Sequence, residues 1–125
     1  MADLLYKDET YNIIGAAMEV HCTLGQGFLE SVYQEALELE LATRLIPYVA
    51  QSGIEIYYKQ QLLSKCFIAD LYCYNAIVVE LKAVSVILPV HEVQLINYLK
   101  ATKKELGLII NFGTDSLEYK RYLNT

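Results

Sequence analysis

The sequence predicts an α/β fold in which helices flank a mixed β-sheet. Residues 8–44 show helical spacing of apolar side chains, whereas the chain after Pro47 becomes rich in aromatic and β-branched residues. Between the two most apolar runs, 76–84 and 106–112, lies another segment with helical spacing. These observations predict the order α-α-β-β-β-α-β-β within one domain, residues 1–125.

The first two helices are separated by the turn residues Leu24-Gly25-Gln26-Gly27. The first helix begins near Asp8, where acidic residues suit the positive end of the helix dipole. The second helix is predicted from about Phe28 to Arg44. A third helix, from His91 to Lys103, follows Pro89.

The strands follow from short apolar or alternating segments bounded by turn residues. We expect the first three strands to form an antiparallel meander, and the third helix to bring the next strand in parallel. The predicted segments are Tyr48–Ala50 with Ile54–Tyr58, a turn at Lys59-Gln60-Gln61, Leu62–Tyr72, Ala76–Val84, Leu106–Phe112 and an edge strand Leu117–Leu123.

Composition narrows the class of protein. Of the 125 residues, 54% are hydrophobic and 20% are charged, which excludes a disordered chain. No apolar run is long enough to span a membrane, and Met1-Ala2-Asp3-Leu4 lacks the basic start of a signal peptide. Three cysteines without a C-x-x-C pair predict reduced thiols. We therefore expect a cytoplasmic protein with no membrane partner.

The net charge of −5 is unevenly distributed. Residues 1–45 carry −6, and residues 46–125 carry +1. This balance disfavours nonspecific binding to DNA, although not a site where metal ions supply positive charge. The apolar composition and the exposed sheet edges also make a homodimer or another protein partner plausible.

Polar residues interrupt apolar segments at three places. Asp70 breaks one predicted strand, and Glu80 with Lys82 break the most apolar one. Glu80 and Lys82 are two residues apart, so they point to the same face of the sheet. Gln94 and Tyr98, at i and i+4, share one face of the third helix.

Whether Asp70 shares a face with Glu80 depends on the loop between their strands. A two-residue hairpin at Tyr74-Asn75 would place Asp70 opposite Val79, on the wrong face. A three-residue loop, Cys73-Tyr74-Asn75, or a bulge would place it opposite Val78, diagonal to Glu80 on the same face. A common site therefore requires a loop of odd length.

Two neighbouring carboxylates repel each other unless a proton or a cation separates them. Oxygen ligands of this kind suit Mg²⁺ or Mn²⁺, and a nearby lysine can activate a water molecule. The pattern is thus typical of metal-assisted phosphodiester hydrolysis. The alternative is a simple ion pair of Lys82 with Glu80 or Asp70.

Together, Asp70, Glu80-Leu81-Lys82 and Gln94-x-x-x-Tyr98 resemble the motif series of the PD-(D/E)xK nucleases, especially their RecB-like branch. Gly27-x-x-Glu30-x-x-Tyr33 resembles the signature of the small bacterial GxxExxY proteins. The resemblance covers roughly residues 8–113 and is carried by the segments His21–Tyr33, Pro89–Leu99 and Ile109–Gly113.

The resemblance implies a restriction-endonuclease-like mixed sheet and a set of roles. Asp70 and Glu80 would be metal ligands, with the Leu81 carbonyl and the helix-borne Glu30 beside them. Lys82 would be the catalytic lysine. Gln94 and Tyr98 would bind the substrate phosphate or position the site, and His21 and Tyr33 would be accessory residues. Two of these residues have a structural alternative: His21 could cap the first helix, and Glu30 could stabilise a helix N-terminus.

Two functions of different class remain open at this stage. One is a nuclease or phosphodiesterase that needs Mg²⁺ or Mn²⁺ and acts on DNA or RNA. The other is a non-catalytic module that keeps the nuclease fold and binds a protein or nucleic-acid partner. The intact set of Asp70, Glu80 and Lys82 favours the enzyme, whereas the acidic charge favours the module.

Overall fold

A computed structural model describes residues 4–124, and the predicted α/β class is confirmed: helices flank a mixed sheet. Met1–Asp3 and Thr125, which belong to the predicted domain, lie outside the described residues. None of the helices within 4–124 has the length and apolar character needed to cross a membrane. The elements are α1 (Lys7–Leu24), α2 (Glu30–Thr43), β1 (Tyr48–Ile54), β2 (Tyr57–Tyr58), β3 (Gln61–Leu62), β4 (Phe67–Cys73), β5 (Ile77–Lys82), α3 (Pro89–Thr102), β6 (Leu106–Asn111) and β7 (Glu118–Leu123).

The main sheet has the strand order β1-β4-β5-β6-β7. β1, β4 and β5 pair antiparallel, β5 and β6 pair parallel, and β7 returns antiparallel along β6. The predicted meander, the parallel crossover through α3 and the edge strand are therefore confirmed. β5 lies at the centre of the sheet with β6 beside it, which explains why both strands are apolar apart from Glu80, Lys82 and Asn111.

The strand predicted over Leu62–Tyr72 is wrong in its first part, because β4 begins only at Phe67. The preceding residues form a separate two-stranded hairpin, β2–β3. Its turn consists of Lys59 and Gln60, both with positive φ (48° and 70°), the conformation of the tightest hairpin turns. The turn predicted at Lys59-Gln60-Gln61 is therefore confirmed, but it closes this short hairpin and does not join two strands of the main sheet.

Two apolar layers cover the faces of the sheet. The α1–α2 layer packs on alternate residues of β5, namely Ile77, Val79 and Leu81. The α3 layer packs on the opposite face and includes Val78. Because side chains alternate along a strand, Glu80 and Lys82 point to the α3 face, where they follow Val78.

The pairing of β1 with β4 is interrupted at Gln51 and Asp70. Ala50 pairs with Leu71 and Ser52 with Ala69, but no pair joins the residues between them, and Gln51 has a φ of 54°. Leu71 belongs to the α1–α2 layer, whereas Ala69 belongs to the α3 layer. The strand thus changes the face it presents at Asp70, which lies where the two layers meet.

Candidate active site

The loop between β4 and β5 has the odd length that a common site requires. Leu71 pairs with Val79 and Cys73 with Ile77, which leaves a three-residue loop, 74–76. Tyr74 and Asn75 at its start have φ of 57° and 52°. The loop lies one residue later than predicted, so the expected pairing of Asp70 with Val78 is wrong: Val78 pairs with Tyr72.

At the end of this ladder, the side chain of Asp70 replaces a backbone partner of β5. Backbone pairing between β4 and β5 stops at Leu71, and the Oδ2 atom of Asp70 accepts a hydrogen bond of 2.7 Å from the Leu81 N–H. The N–H and C=O of one strand residue point to the same side, so the Leu81 carbonyl also faces the Asp70 side. On α2, Gln34 donates a hydrogen bond of 3.1 Å to the backbone carbonyl of Asp70.

Glu80 is the buried acid of the site. It is only 6% exposed, and its Oε1 atom is buried without a hydrogen-bond partner. Burial, then the neighbouring Asp70 carboxylate, raise the pKa of Glu80 to about 9, while Lys82 opposes the rise. The negative charge of Asp70 acts on Glu80, so a proton on Glu80 relieves the repulsion between the two carboxyls.

The strand end that carries Lys82 is braced from β6. The Phe112 N–H donates a hydrogen bond of 2.8 Å to the Lys82 carbonyl. Asn111, fully buried, accepts from the Val84 N–H (3.0 Å) and donates to the Val84 carbonyl (2.9 Å). A Cβ at Gly113 would lie 2.4 Å from the Val84 backbone, so only glycine fits there. Sequence reasoning did not select Asn111; the available signal was a polar residue at the end of an apolar strand.

The loop before α2 explains the spacing of Gly27, Glu30 and Tyr33. Gly27 has a φ of 109°, which side chains disfavour. The Tyr33 hydroxyl donates to the Gly25 carbonyl (2.6 Å) and accepts from the Phe28 N–H (3.2 Å). Its buried ring stacks on Phe112 at 4.6 Å. Tyr33 therefore holds the loop together, and its hydroxyl is occupied by the backbone.

Glu30, in the first turn of α2, is exposed and lines the same surface pocket as Asp70. Partial burial, then the charge of Asp70, raise the pKa of Glu30, while Lys82 lowers it. The structure therefore brings Glu30 into the electrostatic surroundings of Asp70 and Lys82.

His21 has a contact of its own outside the carboxylate pair. Its Nε2 atom lies 2.9 Å from the Thr114 carbonyl, and its ring is tilted against Phe112 with the centroids 6.2 Å apart. These contacts join the end of α1 to the chain after β6. Of the two roles considered for His21, they favour a structural one.

Tyr98 closes the site from α3. It is 6% exposed, and its hydroxyl is buried without a hydrogen-bond partner. Burial, then the charges of Glu80 and Asp70, raise the pKa of Tyr98, and its ring stacks on Phe67 at 3.7 Å. Gln94 lies one turn earlier on α3 and is exposed.

Mg²⁺ or Mn²⁺, which the sequence suggests, would need a set of oxygen donors at this site. Within residues 4–124, no three His, Cys, Asp or Glu side chains come together as a metal-holding group, so Glu30 does not complete a three-carboxylate set. The remaining donors are the Asp70 and Glu80 carboxylates and the Leu81 carbonyl. Two repelling carboxylates with an unsatisfied Oε1 fit a hard cation that keeps several waters.

Comparison with known proteins identifies the family. The model of the PD-(D/E)XK nuclease superfamily matches residues 7–122, and the chain belongs to this superfamily. No curated protein sequence matches. Among solved structures, the crystal structure of SSO0001 has a similar fold, with a TM-score of 0.63 and 19% sequence identity over 95% of this chain. The match covers 60% of the length of the SSO0001 chain.

Proposed function

We propose that this chain is a nuclease or phosphodiesterase that depends on Mg²⁺ or Mn²⁺ and acts on DNA or RNA as one domain. Within the superfamily, we assign it to the GxxExxY proteins of the RecB-like branch. The assignment is supported by the loop in which the positive φ of Gly27 and the Tyr33 hydroxyl position the start of α2, where Glu30 lies.

The observation that carries the proposal is the pair of Asp70 and Glu80 at the end of the β4–β5 ladder. The fold holds two carboxyls together in a largely buried place, where their ionised forms repel each other. Such an arrangement costs stability unless a cation relieves it, so it is difficult to explain as packing alone. The Leu81 carbonyl would complete the oxygen set.

Chemical roles follow from the neighbours of this pair. When bound, a divalent metal would supply a Lewis acid and neutralise the negative charge of the pair. Lys82, two residues beyond Glu80 on the same face, would hold or accept a proton of the attacking water. The unpartnered Tyr98 hydroxyl and Gln94 would orient a substrate phosphate from α3. Glu30 would add negative charge at the edge of the site.

Metal binding is the first test. Calorimetry with Mn²⁺ should show weak binding for the wild type and none for Glu80→Ala, because the pair loses one ligand. Glu19→Ala is the matched control, since Glu19 is an exposed acid on α1. Equal heats for the wild type and Glu80→Ala would refute the metal site.

Cleavage is the second test. Lys82→Ala should retain Mn²⁺ binding and lose cleavage of a DNA or RNA oligonucleotide by about 10²–10⁴-fold, the usual contribution of a general acid or base. Lys7→Ala, which changes an exposed lysine on α1, should cleave like the wild type. Undiminished cleavage by Lys82→Ala would remove this lysine from the mechanism.

The second candidate function is a non-catalytic module that binds a protein or nucleic-acid partner. The observation that favours it is the acidic N-terminal part, residues 1–45 with a charge of −6, which repels phosphate backbones. Mn²⁺ binding without cleavage of single-stranded or duplex DNA and RNA, over several salt concentrations, would support this module.

A further inference from the structure

An open groove of about 870 Å³ lies between the β2–β3 hairpin and the C-terminal half of α3. It is lined by Ile56, Tyr57, Gln60, Asn97, Lys100 and Lys103, among others. None of these residues belongs to the set around Asp70 and Glu80. The groove is nevertheless next to Tyr98, because its lining residue Asn97 precedes Tyr98 on α3 and its lining residue Ile56 packs against the apolar cluster that contains Tyr98.

Tyr57 forms the aromatic wall of the groove. It is 59% exposed and lies on a strand of only two residues, β2, next to the equally exposed Tyr58 (61%). Successive side chains on a strand point to opposite faces, so Tyr58 points away from the groove. Its ring has the Lys59 ammonium 5.4 Å from its centre. The two tyrosines therefore differ in their surroundings but not in type or exposure.

The charge of the groove differs from that of the whole chain. Lys100 and Lys103 are exposed and line it, against the single carboxylate of Glu55 among its lining residues. The chain as a whole carries −5, and residues 1–45 carry −6. A phosphate backbone would thus meet local positive charge on the α3 face and repulsion on the α1–α2 side.

We propose that this groove binds a single-stranded stretch of nucleic acid, with a base stacked on Tyr57 and phosphates beside Lys100 and Lys103. This inference rests on the proposed function and specifies its substrate class. Exposed aromatic rings beside a positively charged groove are the recurrent means of holding single strands, because every unpaired base offers a flat face. In a duplex these faces are stacked on one another, so Tyr57 would have no partner.

Fluorescence anisotropy with EDTA present tests the groove without requiring catalysis. The probes are fluorescein-labelled dT and rU oligonucleotides of about 12 nucleotides and a DNA duplex of equal length, since single-strand sites span roughly 4–16 nucleotides. Tyr57→Ala should weaken binding of the single strands at least about fivefold, the lower bound for loss of one stacked base. Tyr58→Ala should bind like the wild type, and Tyr57→Phe should retain binding because the ring remains.

The lysines are tested by the salt dependence of binding. Lys100→Gln should reduce the slope of log affinity against log salt by about 0.7, the value for one phosphate contact to a single strand. Lys7→Gln, on the opposite side of the sheet, is the control and should leave the slope unchanged. An unchanged slope for Lys100→Gln would contradict the proposed phosphate contact.

The outcomes separate the groove from the proposed nuclease activity. Equal binding by the Tyr57→Ala and Tyr58→Ala variants, or a duplex bound as tightly as the single strands, would overturn the groove. A preference for dT over rU, or the reverse, supports it and distinguishes DNA from RNA. If the single strands bind through Tyr57 but the wild-type protein with Mn²⁺ cleaves neither dT nor rU, the single-strand groove is supported and the proposed nuclease activity is refuted.

Discussion

The two faces of the sheet contrast in packing and in chemistry. On one face, α1 and α2 cover β5 and β6 with a continuous apolar layer that includes Ile13, Leu37 and Leu41. On the other face, α3 covers a smaller apolar layer that contains Tyr98 and borders Glu80. The Tyr98 hydroxyl and the Glu80 Oε1 atom are both buried without a hydrogen-bond partner. The strands of one sheet thus stabilise the fold on one side and border the buried polar groups of the candidate site on the other.

This contrast shows how a small domain can hold repelling carboxylates. The free energy lost at Glu80 and Asp70 is offset by the apolar burial on the α1–α2 face. Side chains alternate along β5, so one strand can serve both faces without mixing their residues. The following predictions test this division, beginning with the largest effect.

Leu37→Ala should have the largest effect on stability. Leu37 is fully buried in the α1–α2 layer, and its truncation should lower the free energy of unfolding by about 2–5 kcal/mol. Urea unfolding measures this loss. Mn²⁺ affinity of the folded variant should stay at the wild-type value, since Leu37 lies on the other face from Glu80. A parallel fall in affinity would contradict the division between the faces.

Asn111→Ala should come next. Its side chain bonds both backbone groups of Val84 and the Gly113 N–H, so its loss leaves several polar groups unpaired. We expect a loss of about 2–3 kcal/mol in urea unfolding. Asn12→Ala, which removes one exposed hydrogen bond to Tyr74, should change stability by less than about 0.5 kcal/mol. Similar losses of unfolding free energy for both variants would show that the Asn111 hydrogen bonds to the backbone do not stabilise this strand end.

Glu80→Gln should stabilise the metal-free protein and flatten its pH dependence. The pKa of Glu80 is about 9 in the folded state, above its usual 4.5, so the unfolded chain ionises first and stability falls as pH rises between these values. At pH 7, Glu80→Gln should gain about 1–2 kcal/mol, because the wild-type carboxyl must take up a proton when the chain folds, whereas the amide is already neutral.

Urea unfolding at several pH values, with a chelator present, checks the Glu80 prediction. Glu19→Gln, at an exposed position on α1, should follow the wild-type pH curve. A wild-type stability that is flat between pH 5 and pH 8 would contradict the raised pKa of Glu80.

The smallest effect should come from the tyrosine hydroxyls. Tyr98→Phe removes a buried hydroxyl without a partner and should change stability by less than about 1 kcal/mol, towards greater stability. Tyr33→Phe removes a hydroxyl with two backbone partners and should cost about 1–2 kcal/mol. Thermal unfolding compares the two variants directly. A larger loss of stability for Tyr98→Phe than for Tyr33→Phe would contradict the contrast between an unpartnered hydroxyl on the α3 face and a bonded one on the α1–α2 face.

Much of the fold follows from local patterns. The helical spacing predicted three helices whose observed bounds differ by a few residues at most, and the apolar runs predicted β5 and β6. The site residues were also visible, because Asp70, Glu80 and Lys82 interrupt segments that should otherwise be apolar. The pattern predicted the turn at Lys59-Gln60 but missed that β2 and β3 form a sheet of their own, since Tyr57 and Leu62 are apolar but exposed.

By itself, the sequence determined which residues form helices and strands and which polar groups lie among apolar ones, because these depend on neighbours along the chain. Only the tertiary structure decided how Asp70 meets Leu81 and Glu80. That arrangement needs the three-residue loop 74–76, the broken pair at Gln51 and a hydrogen bond from Gln34, 36 residues away. Register and bulges are set by contacts between distant segments, and the alternation within one strand carries no information about them.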